Sequence, residues 1–128
     1  MSVANAIKYA TSLLPGTPAP DGDEDLRWQA IIEVASYSES DPEDVCAFVL
    51  RWGGHPQEDI RNAIACCVLE HLLEHHFKLI FPRIQEAVKR NKLFADMFCR
   101  CWKFGESEGP ENKKKIDDLM DWCIELKG

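Results

Sequence analysis

The sequence predicts an all-α domain, built as a short α-solenoid of antiparallel helical hairpins, and two observations lead to this fold class. Apolar residues recur at helical spacing along the chain, and no stretch shows the sustained alternation of a half-buried strand. A phrase of two acids, an aliphatic residue and Arg occurs twice, 34 residues apart, at Glu24–Arg27 and Glu58–Arg61. Such a period is typical of helical arrays whose units bury their apolar faces by stacking. Residues 1–128 are predicted to form one such domain, with about seven helices.

Capping and turn residues predict where each helix begins and ends. Pro15-Gly16 ends the first helix, and carboxylates occupy the first turn of the second, where the helix dipole favours them. The third helix has Asp41 as N-cap, Pro at its first position, and Gly53 as a left-handed C-cap. In order, the predicted helices are Ser2–Leu14, Asp23–Glu39, Pro42–Trp52, Pro56–His75, Phe77–Arg90, Lys92–Phe104 and Glu111–Lys127, with loops at residues 17–22 and 106–110.

Three further observations bear on the later helices. The centre of the fourth, Ala63–Leu69, is apolar on every side, which predicts a position in the middle of the stack with neighbours all round. Pro82 either kinks the fifth helix or resets its start. Asn91 is expected to cap the sixth helix, which Gly105 closes, and the seventh has an apolar face that includes Leu119.

The repeated phrase resembles the HEAT repeat. The similarity lies in Asp-x-Arg at the start of the second helix of each pair, followed by small and aliphatic residues, at Asp25-Leu26-Arg27 and Asp59-Ile60-Arg61. The resemblance implies a right-handed solenoid in which helices two, four and six line the concave side. In the third unit, Lys92–Asp96 lacks the Arg, so this unit is expected to be degenerate or to act as a cap.

A local structural role is predicted for the four residues of the repeated motif. Asp25 and Asp59 are expected to satisfy the N-termini of their helices. Arg27 and Arg61 are expected to bridge to a carboxylate of a neighbouring unit, because a guanidinium can bind two carboxylate oxygens at once. The motif is therefore predicted to hold successive units in register.

Charge and cysteine content narrow the class of partner. The net charge is −7, and residues 1–74 contain 13 acidic residues against 4 basic ones. This excess argues against nucleic acid or an anionic membrane and favours a basic protein partner. With no secretory signal and no long apolar segment, a cytoplasmic location is expected, where the six cysteines would remain free thiols.

One segment has the spacing of a catalytic metal motif. His71, Glu74 and His75 form the pattern H-x-x-E-H, in which two histidines hold zinc and Glu acts as base. A metal-dependent hydrolase is therefore kept as an alternative, although the chain is short and shows no matched third ligand. Cys66-Cys67 and Cys99-x-Cys101 lack the spacing of zinc knuckles and predict core packing, so no cofactor is expected.

The function predicted from these observations is non-catalytic protein binding through an acidic concave face. Trp28, Glu33, Glu70 and Glu74 are the candidate partner-binding residues, because Trp is a frequent binding hot spot and the three acids fall on the presumed concave helices. An adaptor in a larger complex is the favoured role, and an immunity-type inhibitor of a basic toxin or nuclease is the alternative. An open end of the solenoid also allows homodimerisation.

Overall fold

The computed structural model describes residues 2–15, 25–101 and 105–127, and every regular element within these ranges is helical, with no strand. The predicted loop at residues 17–22 and residues 102–104 of the sixth predicted helix lie outside the described residues. The sixth helix ends at Phe98 and not at Phe104 as predicted, since residues 99–101 are not helical. The elements are α1 (Val3–Leu13), α2 (Leu26–Ala35), α3 (Pro42–Trp52), α4 (Glu58–Ala63), a π-helical segment (Ile64–Leu69), α5 (Glu70–Arg90), α6 (Lys92–Phe98), a 3₁₀ turn (Gly105–Glu108) and α7 (Pro110–Lys127).

Polar side chains cap three of these helices at their N-termini. The Ser2 hydroxyl accepts a hydrogen bond from the Asn5 amide at the start of α1, at 3.2 Å. Asp25 caps α2, and Asn91 caps α6 by accepting from two backbone amides. Each cap satisfies an amide that has no partner inside its own helix. Asp41 precedes Pro42 as predicted, but its side chain makes no capping hydrogen bond with the described part of the chain.

The fourth and fifth predicted helices are joined. From Glu58 to Arg90 the helical segments follow one another without a loop, so the prediction of seven separate helices is not confirmed. The chain bends at His76, where φ is −138° and ψ is 45°, and not at Pro82. The bend is held from two sides: His76 Nε2 donates to the Glu39 carbonyl at 2.9 Å, and the Phe77 amide donates to the Glu106 carboxylate at 3.3 Å.

Two glycines act differently from the prediction. Gly53 is not left-handed: its φ is −61°, and its small size matters because a Cβ there would lie 2.6 Å from a ring carbon of Phe94. Gly105 is the left-handed residue, with φ of +52°, and it lies against Glu74. It begins a 3₁₀ turn where the sequence predicts a loop.

The core runs along the whole stack of helices. α1 packs on α2 and α3, α2 on the π segment, α3 on α5, and α6 on α4, α5 and α7. The π segment contacts the helices on both sides of it, which is the central position predicted for Ala63–Leu69. Burial of apolar surface on this scale is the main favourable contribution to folding. The largest fully buried side chains are Leu14, Ile31, Ile60, Ile64, Leu69, Leu72, Leu73, Phe77, Ile80, Ile84, Met97 and Phe98.

Candidate functional site: the groove beside α2

The repeated motif holds α2 against α4. Arg27 is buried, and its guanidinium bonds Asp25 of its own motif and Asp59 of the next copy. Its Nη1 also donates to the side-chain oxygen of Gln57 at 2.6 Å. Hydrogen bonding to Arg27 lowers the pKa of Asp25, so this carboxylate stays ionised in the folded protein. Arg27 thus connects the two copies of the motif.

The second arginine of the motif makes the corresponding contact to α6. Arg61 Nε lies 2.9 Å from Asp96 Oδ2, and its Nη1 donates to the carbonyl oxygens of His55 and Pro56. Asp96 also pairs with Arg100, again at 2.9 Å. These contacts connect α2, α4 and α6 in sequence, so the three helices are held in a fixed relative position.

A groove of about 450 Å³ lies between α2 and the chain from the π segment to the start of α5. We call it the α2 groove. Ile32 leaves 51% of its surface exposed beside the groove, and Cys66 is also exposed. Among the described residues that line the groove, Glu39 is the one with a carboxylate side chain. The lining residues are Ile32, Ala35, Ser36, Ser38, Glu39, Cys66, Cys67, His71 and His75.

The histidines at this groove contact a glutamate between them. Glu74 Oε1 lies 3.2 Å from His71 Nδ1 and 3.4 Å from His75 Nε2. In the H-x-x-E-H zinc motif the two histidines bind the metal together and the glutamate acts as a base. Here the Glu74 carboxylate contacts both His71 and His75. Across the described ranges, no group of three or more His, Cys, Asp or Glu side chains is arranged to hold a metal ion.

The thiols near the groove are held in the protonated form. Burial raises the pKa of Cys66, of Cys67 and, most strongly, of Cys101, and the negative charge of Glu70 raises each of them further. Because the thiolate is the nucleophile, such thiols are poor candidates for covalent catalysis. Cys101 donates instead to the Ala65 carbonyl at 3.6 Å.

The predicted partner-binding residues do not form one patch. Glu33 is exposed on α2, and Glu74 is partly exposed beside the histidines. Trp28 is half-buried and packs against the core. Glu70 is only 6% exposed, so the expectation that it faces a partner is wrong. Glu70 lies one turn before the buried Leu73, so both side chains fall on the face of the helix that packs into the core.

Two residues of this region were missed by the sequence analysis. Ile32 was not singled out from the sequence, and its counterpart 34 residues later, Cys66, is a smaller side chain. Arg100 was unassigned, yet it bonds Asn62 at 2.7 Å and pairs with Glu58 at 3.2 Å. An arginine four residues after Asp96 was the available signal, since residues at this spacing share a helix face.

Comparison of this chain with protein-family models, with curated proteins and with solved structures gives no match. The resemblance to HEAT repeats therefore remains a prediction that rests on the motif residues. No helix in the described part of the chain is long and apolar enough to cross a membrane.

Proposed function

We propose that this protein is a short HEAT-like α-solenoid that binds a protein partner without catalysis. The arginine contacts support the solenoid arrangement. Arg27 to Asp59 and Arg61 to Asp96 each connect the second helix of one hairpin to that of the next. A regular array of this kind exposes one face along α2, α4 and α6, and extended faces are the binding surfaces that repeat proteins use.

The α2 groove is the proposed contact surface, and the exposure of Ile32 is the observation that carries the proposal. An exposed aliphatic side chain in a groove offers an apolar contact, while Glu39 and Glu74 supply negative charge beside it. A partner segment with an aliphatic or aromatic residue between lysines or arginines would match both features. The negative charge of the whole chain would also accelerate its association with a basic protein.

Site-specific photocrosslinking tests this proposal. A photoreactive amino acid replaces Ser36, which is exposed and lines the α2 groove, or Lys113, which is exposed on α7 as a matched control. Each variant is irradiated in lysate of the source organism, and the adducts are identified by mass spectrometry. We expect one basic protein to be captured from Ser36 and not from Lys113, and the capture to be lost in Glu39→Lys/Glu74→Lys.

Two results would contradict the proposal. Equal capture from both positions would show adventitious contact, and capture that survives both charge reversals would show that the acids do not recognise the partner. Circular dichroism of the double variant must match that of the parent, which we expect because Glu39 is exposed and Glu74 is partly exposed.

A further inference from the structure

A second groove, of about 570 Å³, lies on a different part of the molecule. It is bounded by the end of α3 and the turn after it, the second half of α5, and the start of α6. None of its lining residues belongs to the α2 groove. We call it the arginine groove, because Arg51, Arg83 and Arg90 line it.

The charge of the arginine groove is opposite to that of the chain. The described residues of its lining include three arginines and one glutamate, Glu86, in a protein with a net charge of −7. The guanidinium of Arg51 lies over the ring of Trp52, 5.0 Å from its centroid, which orients the cation without neutralising it. Within the described ranges, Arg51 has no ion pair with a carboxylate. This local concentration of positive charge is suited to an anionic ligand.

The other two arginines are held by pairs that a ligand can replace. Arg83 contacts Glu43 at 3.2 Å, and Arg90 contacts Glu86 at 2.6 Å. All four side chains are between 44% and 77% exposed. Ion pairs between such exposed side chains contribute little, because water screens the charges and two long side chains must be ordered. A ligand carboxylate would therefore compete on nearly equal terms for both guanidinium groups.

The groove also presents apolar surface between its arginines. Leu50 is 39% exposed, and the half-buried Trp52 lines the same space. The turn that forms one wall is tied in place by His55, whose Nε2 donates to the Leu14 carbonyl at 2.9 Å while its Nδ1 accepts from the Gln57 amide at 3.0 Å. A wall fixed in this way loses little conformational freedom when a ligand binds.

We propose that the arginine groove binds an acidic peptide segment of a second protein, in which an apolar side chain is flanked by Asp or Glu. The apolar residue would lie against Leu50 and Trp52, and the flanking carboxylates would each accept paired hydrogen bonds from a guanidinium. This site is additional to the α2 groove. If the proposed function is right, the two grooves take partners of opposite charge, and the protein connects them as an adaptor.

A displayed library of random peptides, selected on the purified full-length chain, tests this inference. Peptides that survive selection are synthesised with a fluorophore, and their binding is measured by fluorescence anisotropy at two salt concentrations. The groove variant is Arg51→Glu/Arg90→Glu, and Arg51→Gln/Arg90→Gln removes the charge without reversing it. The matched control, Lys113→Glu/Lys115→Glu, makes the same charge change on exposed positions of α7.

We expect the selected peptides to be rich in Asp and Glu around an apolar residue. Their affinity should fall by at least about tenfold in Arg51→Glu/Arg90→Glu, because charge-assisted hydrogen bonds are lost. It should fall less in the glutamine variant, stay unchanged in the control, and weaken as salt rises. Selection of neutral or basic peptides, or an equal loss in the control, would overturn the proposal.

A different occupant would also be detected. If sedimentation velocity shows a dimer that Arg51→Glu/Arg90→Glu dissociates, a second copy of this chain fills the groove and the proposal is overturned. Glu39→Lys/Glu74→Lys should leave peptide binding unchanged, because neither residue lines the arginine groove. A failure of this inference can thus be told apart from a failure of the proposed function.

Discussion

Replacing Arg27 by Met should weaken the contact between α2 and α4. The Arg27 side chain is 4% exposed and bonds Asp25, Gln57 and Asp59, so it connects α2 with the start of α4. Methionine keeps most of the apolar stem and removes the guanidinium. The variant therefore tests the polar contacts rather than the packing of the side chain.

The expected loss of stability depends on how exposed the carboxylates of Asp25 and Asp59 are once Arg27 is removed. Breaking a fully buried ion pair costs about 3–5 kcal/mol, since the remaining charge has no partner. Here the side chains of Asp25 and Asp59 are 25% and 40% exposed, so water can partly replace Arg27. We therefore expect the free energy of unfolding to fall by about 2–3 kcal/mol. The control Arg90→Met removes one exposed pair and should cost about 0–1 kcal/mol.

Urea denaturation followed by circular dichroism measures both variants. A double-mutant cycle with Asp59→Asn isolates the contact between units, and its coupling energy should be about 1–2 kcal/mol. If Arg27→Met costs no more than Arg90→Met, the arginine does not hold the two units together. The contact between Arg27 and Asp59 would then not be what holds α2 and α4 in register.

The difference in stability between the parent and Arg27→Met should also depend on pH. Arg27 holds the pKa of Asp25 below its usual value, so the pair contributes stability above the ordinary carboxyl pKa of about 3.9. That contribution is lost as pH falls through the lower pKa of the folded state. The difference in stability between the parent and Arg27→Met should therefore narrow below about pH 4. A difference that stays constant through this range would contradict the assigned ion pair.

Two further predictions concern packing and thiol access. Gly53→Ala should lower the free energy of unfolding by about 1–3 kcal/mol, because the added methyl group would lie 2.6 Å from Phe94. The control Gly109→Ala, whose methyl group would lie 3.4 Å from its nearest neighbour, should be tolerated. Equal melting temperatures of the two variants would contradict this prediction. In the native protein a maleimide should label exposed Cys66 well before buried Cys46, with peptide mapping as the readout. Labelling of Cys46 at the same rate would show that the core opens more readily than its burial implies.

The repeated phrase predicted that Arg27 bridges to a carboxylate of a neighbouring unit, without naming that carboxylate. In the structure Arg27 contacts Asp59, which belongs to the second copy of the phrase. For Arg61, the 34-residue offset does not give the position of the partner. Its partner, Asp96, lies three residues beyond the position that the offset gives, because the third unit does not repeat the phrase.

Other features depend on backbone geometry that residue patterns do not contain. The π segment at Ile64–Leu69 is one of them, since apolar spacing alone does not distinguish a π turn from an α turn. Gly53 was taken for a left-handed cap, since glycine often has that role, whereas its size is what the contact with Phe94 requires. The arginine groove unites residues of α3, α5 and α6, and such a grouping is visible only once the helices are packed.

Hydrogen exchange on the captured complex would show whether a partner binds in the α2 groove. The amides of residues 32–39 and 66–75 should exchange more slowly in the complex than in the free protein, because the bound segment covers both walls of the groove. Residues 113–124 of α7 should be unchanged. Protection confined to α7, or to the helices around the arginine groove, would contradict this proposal and move the binding surface elsewhere.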